Sequence, residues 1–420
     1  MPENQPDSLL GPFRVLDLTD EKGYLCGRIL GDLGADVIKI EPPGGDPGRK
    51  TGPFYKDIPD VEKSLYWFAY NLNKRGITLN LQTNDGRELF KKLASRADFV
   101  IESFPPGNIA ELGLDYETLS KLNPRLIMTS ISLCGQKGPR RQYQPSDIIA
   151  SAFGGSMYPT GDPDRAPVHI SFPQAYLQGA EEAAIGTLIA HYHRQKTGEG
   201  QYVDASIQES LAWNAMNMPH FWEFNKVILK RVGVHRSWSS TSAQRHRVIW
   251  PCKDGYVSFT IYGGKTGAPT NRGIVEWMAG EMEVPGWLKT MDWDNLSIGT
   301  FTEKQFDEFA EPAAAFFLSH TVEELHQGAL SRDMMLYPVF TIADIVKDEQ
   351  LEARDFWQEI PHPELDDNLV YPGPFVKLSE TPLQLKRRAP LIGEHNLEIF
   401  EGELGLSRVE INLLKQSGVI

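Results

Sequence analysis

Between residues 13 and 134, short apolar runs rich in Val, Ile and Leu alternate with stretches of helical period. FRVLDLT, EKGYLCGRILGDLGA and DVIKIE read as strand, helix and strand, with Asp20 opening the helix and Gly34 closing it. ITLNL, preceded by Asn73 to Arg75, begins a second unit that runs through NDGRELFKKLASRA to DFVIES. YETLSKLNP and LIMTSISL add a third. Parallel neighbours cannot be joined by a tight hairpin, so each crossover must be a helix lying on a sheet face. This alternation predicts an α/β fold with an open parallel sheet.

The stretch from Ala166 to Val203 reads as an extended apolar segment that Pro173 interrupts, followed by a helix. Arg194 and Lys196 stand in its last turn and Gly198 stops it. The alternation ends near residue 206. Residues 206–230 read as a helical, aromatic linker. HRVIWPC, GYVSFTIY and Trp-bearing helices then read as a smaller α+β domain over 231–330. From about residue 345 the helical stretch DIVKDEQLEARDF leads into strand-like and loop segments and a terminal helix pair.

A formal net charge of -14 argues against nucleic acid or an anionic membrane as partner, since both require basic patches. No apolar run approaches the ~20 residues of a spanning helix. The first residues, MPENQPDSLLGP, carry no basic-then-apolar leader, so the cytoplasm is the expected compartment. Cys26, Cys134 and Cys252 lie far apart without a CxxC, and are expected to be reduced structural residues.

Several motifs fall short of chemistry. Gly264-Lys265-Thr266 ends like a phosphate loop, but Phe259 stands where the loop's first glycine belongs. A mobile turn of Gly263, Gly264 and Gly267 is expected instead. His235 and His246 lack partners at metal-ligand spacing, so no metal site is expected. Ser206 and Ser210 lack a GxSxG elbow. Lys386-Arg387-Arg388 reads as a solvated basic face or as a contact for a phosphate or a partner.

Longer stretches carry a resemblance. VLDLT…LGADVIKIEPPGGDPGR, NLNKRGITLNL and FVIESFPPGNIAELGLDYETLSKLNPRLIMTSIS occur in order, followed by GGSMYPTGDPDRAPV, AAIGTLIAHYHRQKTGEGQYVDASIQES, PCKDGYV and APLIGEHNLEIF. Together they resemble the family III CoA-transferases over nearly the whole chain. The resemblance implies a Rossmann-like large domain of 1–205 to which 331–420 returns as linker and C-terminal segment, two protomers interlocked as a dimer, and a coenzyme A thioester as substrate, with no covalently bound cofactor. In such transferases an Asp attacks the donor thioester and forms a mixed anhydride. CoA then returns to make an aspartyl-CoA thioester, which the acceptor acid takes over.

An ungapped alignment over AAIGTLIAHYHR sets Tyr176 at the Asp position. A phenol ionises near pH 10 and cannot become an anhydride. Glu181 and Glu182 lie about 140° and 240° around the helix from Tyr176, so neither shares its face. Asp147 matches a family acid/base position, but Ser146 precedes it where racemases of the family carry His. Family cations that contact CoA are replaced by Pro43, Glu111 and Gln144; Arg49, Lys74 and Arg75 remain as candidate contacts or as structural ion pairs. A carboxylate at 111 would repel a phosphate by ~1 kcal/mol. The expected function is therefore that of a non-catalytic subunit, paired with a paralogous catalytic CoA-transferase subunit. Heteromeric members act in anaerobic aromatic degradation, such as the succinyl-CoA:benzylsuccinate CoA-transferase of toluene catabolism. CoA would pass from an acyl-CoA such as succinyl-CoA to a carboxylic acid such as an aryl-succinate. The alternatives are an independently active transferase, an acyl-CoA isomerase or racemase using other acid–base residues, or a free-standing structural or regulatory homologue.

Overall fold

The computed structural model describes residues 8–236 and 246–420. The chain divides into two compact units: 1–156 with 170–214 and 349–420, and 157–169 with 215–348. The cuts therefore differ from the expected 205, 230 and 330. The helix Ile207–Asn214 stays with the first unit because it packs on the long helix before it.

The first unit holds six parallel strands: β1 (Arg14–Leu18), β2 (Asp36–Glu41), β3 (Lys74–Thr78), β4 (Phe99–Glu102), β5 (Ile127–Ser132) and β6 (Tyr202–Ser206). Their order is β3-β2-β1-β4-β5-β6, all pairs parallel. The direction of chain progression reverses between β1 and β4, where open sheets of this kind leave a crevice at the carboxyl ends. Its helices are α1 (Tyr24–Asp32), α2 (Leu65–Tyr70), α3 (Asn84–Ala94), α4 (Asn108–Glu111), α5 (Tyr116–Leu122), α6 (Asp147–Phe153), α7 (Gln174–Thr197) and α8 (Ile207–Asn214). One apolar core lies under α3 and α5; a second lies under α1, α7 and α8.

Four local expectations change. β3 starts at Lys74, not at Ile77, because Lys74 and Arg75 find carboxylate partners that let them enter a buried strand. α1 begins at Tyr24, after a turn over residues 21–23, so Asp20 stands before the turn and does not cap the helix. Residues 166–173 form no strand. Gly264-Lys265-Thr266 opens the helix Gly264–Glu281, and Gly267 lies inside it, so these glycines make no turn.

α7 has the expected end: Gly198 adopts φ 83° and its N–H meets the Arg194 carbonyl. Arg194 is buried, donating to the Asp98 and Arg125 carbonyls and lying over the Phe13 and Phe99 rings. The C-terminal segment covers the open edge of β3. The Gly76 N–H donates to His395 Nδ1 and the Thr78 N–H to Asn396 Oδ1. This protects an edge that would otherwise invite strand pairing.

The second unit has its own apolar core, in which Trp250, Phe259, Phe309 and Phe317 meet. Among the described residues no helix is long and apolar enough to cross a membrane.

Candidate active site

The carboxyl ends of β1 to β4 surround a cleft of about 280 Å³. Thr19 and Asp20 extend from β1, Asn80 and Gln82 from β3, and Ser103 and Phe104 from β4. The first crossover pins the two central strands together. The Asp20 N–H donates to Ser103 Oγ at 2.8 Å, and Ser103 Oγ donates to Asp20 Oδ1 at 2.8 Å. Asp20, Glu41 and Asp46 line the cleft, and none of its lining residues is Lys, Arg or His.

Behind that wall lies a buried charge network. Lys74 Nζ donates to Asp17 Oδ2 at 2.8 Å, to the Tyr24 carbonyl and to Asn71 Oδ1. Lys39 stands between Asp17 and Asp46 at 3.6 and 3.7 Å, and donates to the Thr19 carbonyl. Arg49 grips Glu41 with two nitrogens at 2.6 and 2.8 Å, reaches Glu62 at 2.6 Å and stacks over Trp67. A buried charge is tolerated only when so paired. Although burial alone would raise it, the carboxyl of Asp17 is held below its ordinary value by Lys39 and Lys74. Gly27 lets α1 pass over this network, since a Cβ there would stand 2.2 Å from Asp17 Oδ2. Arg75 points elsewhere, to Asp36, Glu398 and Glu403. Arg49, Lys74 and Arg75 thus each have carboxylate partners, and none of them lines the cleft. Pro43 and Glu111 are exposed beside it, and Gln144 lines a smaller cavity next to it.

Tyr176 stands in the first turn of α7 and is 3% exposed. Pro173, at the helix start, offers no side-chain cap; Asp147 does, with Oδ1 accepting the Tyr176 N–H at 3.0 Å. The segment thereby joins α6 to α7 at the position where the nucleophile is expected. Burial, then the carboxylates of Glu21, Asp20 and Asp147, hold the phenol well above its ordinary value. Glu102, at the end of β4, is buried, and its carboxylate accepts the Phe104 N–H at 2.7 Å. Burial pushes its carboxyl up to about 7.

CoA-transferase family III matches residues 10–396. The chain belongs to that family. The succinyl-CoA:(R)-benzylsuccinate CoA-transferase subunit BbsE of Thauera aromatica is 35% identical over 410 residues, covering 97% of each chain. The succinyl-CoA:mesaconate CoA-transferase of Haloarcula marismortui is 34% identical, over 96% of this chain and 98% of its own. A CAIB/BAIF family protein from Brucella suis superposes with a TM-score of 0.80 at 28% identity, over 95% of this chain and 100% of its own. The substrates of CoA-transferases are CoA thioesters.

Sequence reasoning missed Lys22, Glu102, Ser103 and Ser132, which cluster at the strand ends. The strand boundaries were legible, and the crevice rule for open parallel sheets would have picked these residues out.

Proposed function

We propose that this family III chain is a non-catalytic subunit of a heteromeric CoA-transferase. The complex moves CoA from succinyl-CoA to a carboxylic acid such as an aryl-succinate. The observation that carries the reading is Tyr176, a phenol that is 3% exposed and stands where the family acid is expected. Acyl transfer through an anhydride requires a carboxylate; a phenol held protonated offers neither the charge nor the product. Asp147 serves in this reading as the cap of α7, its Oδ1 accepting the Tyr176 N–H. Arg49, Lys74 and Arg75 serve the scaffold as ion-paired cations in this reading, and the cleft is left without a cationic side chain to meet a phosphate.

Two findings support the pairing. The BbsE relative is itself named as a subunit, and both relatives above are named for succinyl-CoA. The outer face of α7 also presents Ile185, Ile189 and Tyr192, at 51%, 63% and 63% exposure. Residues spaced four and three apart make one apolar stripe, which suits burial against another chain. The partner in this reading is a paralogous chain with Asp at the position of Tyr176.

Co-expression with such a paralogue tests it. Each chain alone and the pair are assayed for CoA transfer from succinyl-CoA to benzylsuccinate. Activity in the pair and in the paralogue, with none in this chain alone, is expected. Transfer by this chain alone, or a thioester trapped on one of its side chains, overturns the reading. Tyr176→Asp should restore little activity by itself, because the cleft still lacks cations.

A further inference from the structure

A smaller cavity of about 40 Å³ adjoins the cleft at the carboxyl ends of β4 and β5. The two share Ser103, Phe104 and Pro105. Their linings differ in sign. The cleft carries three carboxylates, whereas the small cavity is lined by Lys22, Ser103, Ser132, Arg141 and Gln144 among others, and by no Asp or Glu. Lys22 is 7% exposed and Ser132 is 3% exposed. The Ser132 hydroxyl has no hydrogen-bond partner among the described residues. A buried hydroxyl left unpaired is costly, and such a group calls for a partner that the chain itself does not supply. The Lys22 ammonium meets the Asp20 carboxylate. It carries three donors, and among the described residues Asp20 alone takes one. Arg141 stands at the mouth on an exposed loop.

The volume accommodates roughly three water-sized groups, the size of a carboxylate, but not a phosphate with its ribose. We propose that this cavity is a carboxylate subsite, in which Lys22 and Ser132, with Arg141 at the mouth, hold a free carboxylate of a dicarboxylic acid. The proposal rests on the transferase reading above and deepens it: the chain retains a place for the acid while its cleft lacks contacts for CoA phosphates. Charge-assisted hydrogen bonds from a buried ammonium to a carboxylate are strong enough to give selectivity over a neutral amide.

The test titrates the full-length chain by calorimetry with succinate, with succinamide and with adenosine 3′,5′-bisphosphate. Succinate is expected to bind, with succinamide weaker by about tenfold or more and the bisphosphate unable to displace succinate. Lys22→Met and Ser132→Ala should each weaken succinate. Arg141→Ala, on an exposed loop where folding is not at stake, should weaken it by about tenfold. No binding by a chain shown folded by its thermal transition overturns the proposal. So does equal binding of succinate and succinamide, displacement by the bisphosphate, or unchanged affinity in Arg141→Ala. CoA transfer by the lone chain is read separately: it sinks the silent-subunit reading, while succinate binding decides the subsite.

Discussion

Lys74 shows how much a single residue's meaning depends on its partners. Its ammonium is fully buried and meets Asp17, 57 residues away in sequence. The sequence displayed a cation beside Arg75 and left two roles open; only the fold brings the carboxylate to it. Lys74→Met should cost about 3–5 kcal/mol, read as a lower urea midpoint, because Asp17 loses one of its two buried counter-charges. Asp17→Asn in the same chain should recover part of that loss. Glu102 gives the pH dependence. Its carboxyl lies near 7 against an ordinary 4.5, so the folded state binds the proton more tightly than the unfolded chain does. Stability from this group is full below about 4.5 and is lost as pH climbs through 7. Glu102→Gln keeps an acceptor for the Phe104 N–H and removes the titration. The variant should gain on the order of 3 kcal/mol relative to wild type between pH 5 and 8, measured by denaturant unfolding across that range.

Among elements, α7 was the most legible. Its basic last turn and its glycine stop follow from backbone sterics and the helix dipole, which are local. Gly198 sits at φ 83°, and a Cβ there would meet nothing closer than Arg125 Nη1 at 3.7 Å. Gly198→Ala should therefore cost only the left-handed strain, about 1 kcal/mol, seen as a small drop in the thermal midpoint. The start of α7 was not legible in the same way. Its cap arrives from Asp147, on another helix, and no local pattern announces it. The start of β3 was missed for a related reason: two cations at a strand's head read as loop until their carboxylates are in place. The helix over Gly264–Glu281 overrides two glycines in its first turns, where Gly267, Ala268 and Thr270 are buried in the second unit's core. Tertiary burial outweighs a propensity cost of about 1 kcal/mol per glycine.

For the whole molecule, the apolar stripe of α7 is the feature that a lone chain leaves in water. Ile185→Lys with Ile189→Lys should lower recovery of the paralogue in co-purification, without shifting the thermal midpoint of this chain alone. Those side chains are already half exposed or more, so their replacement removes little intramolecular burial. Unchanged recovery would place the partner on another surface. The expected interlocking of two chains belongs to the same experiment, through the stoichiometry of the purified pair.

The sequence by itself determined the parallel α/β sheet and the family. Each of these is written in local periodicity or in stretches of contiguous residues. Only the tertiary structure decided what the charged residues do. Asp17 on β1 meets Lys39 on β2 and Lys74 on β3, and Glu41 at the end of β2 meets Arg49 from the turn after it, because folding brings each buried charge within about 4 Å of a counter-charge, without which it would be left uncompensated out of water. The small cavity of Lys22 and Ser132 likewise exists only because two distant strand ends meet. A side chain's charge is fixed by its residue type, but the field it feels is set by neighbours that folding selects.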